Sequence, residues 1–255
     1  KKLLAVGWEK IFYLGKCWRD QESFGGRQNP EFTMLEFYRA GADMFRIMND
    51  VESLINFILE NLKISDFRFQ ISECHFERVS LKELWKKYMD VDLDEYLSEE
   101  KMFELCVASG FKPDGDESYE ELFYRIFLNK IEPNLKGPMI IYHYPARMAA
   151  LARLSPTDPR YAERFEVYFD DLELANAFSE LTDAEEQLKR LQAEQTERRR
   201  LNKNIYEIDE EFIEALKTMP ESAGIALGVD RLAMILASCQ DINDVVALPA
   251  SKLFN

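Results

Sequence analysis

Five charged residues carry the chemistry this sequence offers. Arg19 stands where one apolar run ends, Glu36 in the middle of another, Glu166 and Glu173 on either side of a tight turn, and Arg231 at the start of an apolar helix. If residues 32–38 form a strand, Phe32, Met34, Glu36 and Tyr38 share one face, because alternate side chains of a strand do. A carboxylate half-buried in such a face is costly without a cation or donors. Glu36 therefore asks for a partner, either a protein cation in a structural ion pair or a ligand. Residues 163–180, ERFEVYFDDLELANAFSE, read as a β-hairpin turning at Asp170 and Asp171. That register pairs Glu166 with Ala175 and Tyr168 with Glu173, and sets the two glutamates diagonally on one face. Close carboxylates repel unless a divalent cation or a basic residue joins them. Magnesium suits oxygen ligands together with substrate phosphates; two exposed acids on a wet sheet face satisfy the same pattern. Residues 224–231, GIALGVDR, lead into a helix with Leu232, Ile235 and Leu236, so Arg231 falls in the first turn, where the helix dipole favours anions. It is either a phosphate ligand or a surface arginine at an ordinary strand-to-helix turn.

Other chemistries find little support. The four cysteines, Cys17, Cys74, Cys106 and Cys239, form no CxxC pair, and His75 and His143 lie far apart, which argues against structural zinc. Reduced thiols in a cytoplasmic protein are expected. His143 reads as a packed residue rather than a base. The net charge of −15 argues against a broad electrostatic grip on nucleic acid. No run of about 18 apolar residues suggests a membrane span, and no signal peptide is seen.

The elements that must position these residues follow from pattern. Residues 11–18 and 32–38 read as strands joined by a Gly-containing polar loop. Residues 3–7 close a helix with Gly7 as its stop. Asp43 is an N-cap for a helix whose apolar residues, from Met44 through Leu62, recur at helical spacing. Residues 67–71 read as a short strand. From 80 to about 136 the chain reads as an accessory helical insertion, opened by a capping box at Ser80 and Glu83. Residues 139–142 form a buried strand after a turn at Gly137 and Pro138. A helical stripe at Leu181, Ala184, Leu188 and Leu191 and a short helix over 209–217 complete the pattern. At 255 residues, 47% hydrophobic and 31% charged, the chain is an ordinary globular α+β protein with no repeat.

Arg19, the loop, and then NPEFTMLE at 29–36 resemble motif 2 of class II aminoacyl-tRNA synthetases of the lysyl type. Residues 163–180 and 224–231 are similar to that family's later signature stretches, the last to motif 3. Together they resemble the truncated lysyl-tRNA synthetase paralogues that ligate (R)-β-lysine to elongation factor P. The resemblance covers nearly the whole chain, least between about 82 and 136. It implies a class II antiparallel sheet flanked by helices, forming one catalytic domain. It implies an AMP-forming, ATP-dependent aminoacyl ligase, with magnesium on Glu166 and Glu173. Arg19, Asn29, Phe32 and Arg231 are then expected at ATP, with Arg19 and Arg231 stabilising charge in catalysis. Glu36, Tyr38, Asn176, Phe178, Glu180 and Ala226 are expected around the amino acid, (R)-β-lysine or lysine. Ala226 and Ala175 stand where lysyl-tRNA synthetases carry glycine, as in the ligases, and one methyl in a tight pocket is worth only about 1–3 kcal/mol of discrimination. Elongation factor P is the implied partner rather than tRNA, and a homodimer is implied as well. The alternatives are a lysyl-tRNA synthetase core and a non-catalytic nucleotide-binding paralogue.

Departures mark where the resemblance is weakest. The family's Arg-x-Glu is Arg19-Asp20-Gln21 here, with Glu22 next; its histidine before Asn29 is Gln28; and its GNGF is broken by Ala177. Motif 1 is expected upstream, since the sequence does not begin with Met. Strict alternation also sets Asn176, Phe178 and Glu180 on the face opposite Glu173. Both sets reach one pocket only through a β-bulge around 174–176.

Overall fold

The computed structural model describes residues 1–20, 22–62 and 74–253, so the strand expected over 67–71 and the residue Gln21 lie outside the described residues. Among the described residues one seven-stranded sheet organises the chain, in the order β1-β2-β7-β6-β5-β4-β3. Its strands are β1 Lys10–Trp18, β2 Glu31–Ala40, β3 Glu77–Ser80, β4 Pro138–Pro145, β5 Tyr161–Phe169, β6 Leu172–Ser179 and β7 Ser222–Gly228. All neighbours are antiparallel except β3 and β4. With its flanking helices this is the expected α+β architecture.

Two-residue alternation divides the sheet into a packed face and a working face. Leu35 and Phe37 of β2, Ala223, Ile225 and Leu227 of β7, and Phe165 and Val167 of β5 point one way. There they meet α2, Met44–Asn61, through Ile47, Met48, Val51 and Ile55. Asp43 caps α2 by accepting from the Arg46 amide at 2.9 Å, as its sequence position predicts. Each large side chain so buried contributes roughly 1.5–3 kcal/mol, and the stripe fixes which face of the sheet is left for other work. Helix α8, Val229–Ala237, runs straight out of β7 and adds Leu232 to the same core.

The working face is walled at both ends. At the β4–β5 end stand α3 Leu81–Met89, α4 Glu99–Ala108 and α5 Tyr119–Ile126, around a core that includes Trp85, Phe123 and Phe127 and reaches Ile141, Tyr144 and Tyr168 of the sheet. The capping box at Ser80 and Glu83 opens this region. At the β1–β2 end, α1 Lys2–Ala5 and α7 Glu210–Leu216 close over Ile11 and Tyr38. His143 sits at a register shift in β4 with φ +60°, packed edge-on against Tyr142, and burial lowers its pKa. It is a packed, neutral side chain, as read from the sequence.

Candidate active site

The register brings Glu36 of β2 opposite Ala226 of β7, Ala226 opposite Asn176 of β6, and Asn176 opposite Glu166 of β5. Four residues singled out by sequence thus form one transverse row across four strands. Three interstrand steps of about 4.8 Å make that row roughly 14 Å long. The next row is Tyr38, Gly224, Phe178 and Arg164. Here Gly224 is required: a Cβ at that position would stand 2.2 Å from the Tyr38 ring.

The rows align because β6 is bulged. Tyr168 pairs with Glu173 as predicted, but Val167 pairs with Ala175 and Glu166 with Asn176, so β6 carries one residue more than β5 at Leu174. The predicted pairing of Glu166 with Ala175 is corrected by one residue, and the predicted bulge accounts for it. Leu174 and Ala175 both enter the packed core, which leaves Glu173, Asn176 and Phe178 together on the working face.

A cavity of about 270 Å³ opens beside the first row, at Ala226 and Asn176. Arg19, Asn29, Phe32, Glu173, Asn176, Ala226 and Arg231 line it, which gathers most of the predicted positions. Arg19 leaves the end of β1, pairs with Glu22 at 3.0 Å and sets its guanidinium 5.5 Å from the Phe32 ring centre. Arg231 donates to the Glu173 carbonyl at 2.7 Å and the Arg27 carbonyl at 3.2 Å, and stands 3.7 Å from the Glu173 carboxylate. Its helix start is pinned by Asp230, which accepts from the Thr33 amide at 2.6 Å. Arg27, not singled out by sequence, adds a third cation to the lining and ties the loop to Asp171 at 2.8 Å. Asn29 is buried, with its amide donating to the Glu31 carbonyl and accepting from the Ala250 amide. It therefore holds the loop that leads into β2 and Phe32.

The two carboxylates expected to hold magnesium differ sharply. Glu173 faces the cavity with Arg231 as its only ion-pair partner among the described residues. Burial, then the charge of Glu166, pushes its pKa up. Glu166 has a side chain only 3% exposed. Its oxygens accept from Arg164 at 2.6 Å, Tyr144 at 2.6 Å, Tyr168 at 2.9 Å and Tyr124 at 3.4 Å. Burial, then the charge on Glu166, keeps the three phenols protonated well above their usual range, so they stay donors. Among the described residues no group of three acids, histidines or cysteines forms a ready-made metal cage. A cation shared with ligand phosphates needs only one or two carboxylates. Glu173 fits that role as it stands, and Glu166 reaches it only by exchanging a hydroxyl partner.

Beyond the cavity, Glu180 is almost fully buried, its side chain 1% exposed, and pairs with the Lys1 ammonium at 2.6 Å. Burial raises its pKa and Lys1 opposes the rise. Tyr38 is pushed up by burial and by the charges of Glu180 and Glu36. This end of the face thus carries two carboxylates, a phenol and one protein cation. Sequence reasoning missed Lys1, Tyr124 and Arg164. Nothing local marks them, since each reaches the site through tertiary packing.

The sequence matches the family described as tRNA synthetases class II (D, K and N) over residues 1–252. It is similar to the elongation factor P (R)-β-lysine ligase of Photorhabdus laumondii, 40% identical over 258 residues that cover 99% of this chain and 75% of that protein. The ligase of the same name from Proteus mirabilis is 40% identical over 260 residues, covering 99% of this chain and 75% of its own. That from Haemophilus influenzae (strain PittGG) is 39% identical over 253 residues, covering 97% and 73%.

Proposed function

The chain belongs to the class II tRNA synthetase family of the D, K and N type, and from that membership we propose that it activates (R)-β-lysine with ATP and transfers it to a lysine of elongation factor P. The observation that carries this reading is the row Glu36–Ala226–Asn176–Glu166, which has a carboxylate at each end and whose two middle residues line a cavity together with Arg19, Arg27 and Arg231. A diamine with a carboxylate has matching ends: cationic at Glu36, Tyr38, Phe178 and Glu180, anionic toward the arginines.

In the first step the amino-acid carboxylate attacks the α-phosphorus of ATP in line, the bond to pyrophosphate breaks, and an acyl-adenylate forms. Arg19 stabilises charge at the α-phosphate and Arg231 at the far end of the triphosphate, with Phe32 against adenine. Magnesium, when bound, neutralises triphosphate charge, and Glu173 is the carboxylate that offers itself to it, with Glu166 behind. In the second step the lysine amine attacks the acyl carbon, AMP leaves, an amide forms, and the amine gives up its proton to solvent. Positioning and electrostatics supply the catalysis, without a protein nucleophile.

In the same reading the protein works in the cytoplasm, without tRNA, as a homodimer. In support, no helix among the described residues is long and apolar enough to cross a membrane, and β1 leaves a sheet edge with Phe12 and Trp18 exposed. Residues 80–136 are an accessory helical insertion that lends Tyr124 to the site.

The test is amino-acid-dependent ATP–pyrophosphate exchange by the full-length protein, (R)-β-lysine against L-lysine, followed by transfer to elongation factor P. Strong preference for (R)-β-lysine with transfer supports the reading. Preference for L-lysine with transfer to tRNA overturns it in favour of a lysyl-tRNA synthetase core, and ATP binding without exchange overturns it in favour of a non-catalytic paralogue.

A further inference from the structure

Arg164 is a buried arginine on the working face that none of the steps above uses. Its side chain is 8% exposed. One Nη2 donates to Glu166 at 2.6 Å and to the Tyr124 hydroxyl at 3.3 Å, while Nη1 donates to the Met148 carbonyl. Its guanidinium carbon lies 4.4 Å from the Tyr144 ring centre and 5.9 Å from that of Phe178. Two rings and three acceptors fix a planar, always-charged fork in place. The remaining nitrogen, Nε, donates to Asn176 Oδ1 at 3.3 Å.

A guanidinium only donates, so the atom of Asn176 turned toward it must be the carbonyl oxygen. The Asn176 NH2 is thereby turned away from Arg164. Among the described residues no protein acceptor takes it, and Asn176 lines the cavity. We propose that Arg164 is a positioning residue that fixes the Asn176 amide with its NH2 toward the cavity, so that Asn176 serves as a donor to an acceptor on the bound amino acid. Neutral asparagine presents either end of its amide with equal ease in isolation; Arg164 removes that choice. The role rests on the proposed amino-acid pocket.

Arg164→Lys tests it. Lysine keeps a cation for Glu166 but has no planar fork to serve Asn176 as well. Tyr124→Phe is the milder variant: it keeps the ring and removes one anchor of the guanidinium. Two readouts apply to the full-length protein. The first is the Asn176 side-chain amide signal in 15N-labelled protein, assigned by its absence in Asn176→Ala, and it needs no substrate. The second is KM for amino acid and for ATP in pyrophosphate exchange. The expected result is a displaced Asn176 amide pair in both variants. With it, KM for amino acid rises about tenfold or more for Arg164→Lys and about two- to threefold for Tyr124→Phe, with a smaller change in KM for ATP. In an Asn176→Ala background either substitution changes amino-acid KM less than about twofold, because coupled residues are non-additive. An unmoved amide signal overturns the proposal whatever the enzyme activates, and multiplying KM effects overturn it too. Should Arg164→Lys fail to fold, the Tyr124→Phe amide signal decides. Absence of exchange in the wild-type protein, with the amide displaced as expected, would instead sink the pocket reading while leaving the Arg164–Asn176 orientation supported.

Discussion

Two buried carboxylates sit toward opposite ends of one hairpin, and they are treated in opposite ways. Glu166 is surrounded by an arginine and three tyrosine hydroxyls. Glu180, equally buried, meets among the described residues only Lys1 and the neighbourhood of Glu36 and Tyr38. A carboxylate has about four lone-pair sites; those of Glu166 are spoken for by the protein, while those of Glu180 are largely not. The first region holds shape; under the proposed function the second receives the cationic end of the amino acid.

The largest test of that contrast is Glu166→Ala. It strands Arg164 in a buried site without its counter-charge, and breaking a buried pair this way costs about 3–5 kcal/mol. Urea unfolding of the full-length protein should show it, and a loss below about 1 kcal/mol would erase the distinction. Next is Glu180→Gln, which should leave the unfolding midpoint near wild type and lower kcat/KM for the amino acid by about 30- to 150-fold, the equivalent of about 2–3 kcal/mol for a buried charge contact. Steady-state exchange measures it; a variant that loses stability instead would make Glu180 structural, like Glu166. Gly224→Ala is smaller. The added methyl drives into the Tyr38 ring, and overpacking of this kind costs about 1–3 kcal/mol. It should raise KM for the amino acid more than KM for ATP.

The last test concerns Glu132, whose carboxyl burial pushes up to about 7 against the pull of Arg27. The folded state then binds this proton more tightly than the unfolded chain does, so stability from this group falls as pH rises from about 4.5 to about 7 and is flat above. Glu132→Gln should remove that slope. Thermal melts of metal-free protein should place the variant progressively above wild type across that window, and parallel curves would contradict it.

Much of this was legible in sequence because the signals were local. Alternation in 32–38 marks the face of Glu36, Asp43 and Ser80 mark caps, and the mismatch between Glu173 and Asn176 marks the bulge. The register of Glu166 was misread by one residue, since alternation alone cannot say where an extra residue sits. Arg164, Tyr124 and Lys1 stayed hidden for a different reason. An arginine or tyrosine in an amphipathic pattern looks solvated, and only the packing of α3–α5 and α1 onto the sheet turns these side chains inward. Asn29, expected at ATP, lines the cavity, and sequence alone does not show that its amide also secures the loop to α9, Ala250–Leu253, a partner 221 residues away.

The surplus residue in β6 also changes how mutations along that strand should be chosen. Before Leu174 the odd-numbered position lies on the working face; after it the even-numbered ones do. A substitution library designed on a single parity would randomise the working face on one side of the bulge and core packing on the other. Diversifying 173, 176 and 178 while sparing 174, 175 and 177 respects the switch, and explores specificity without spending the fold.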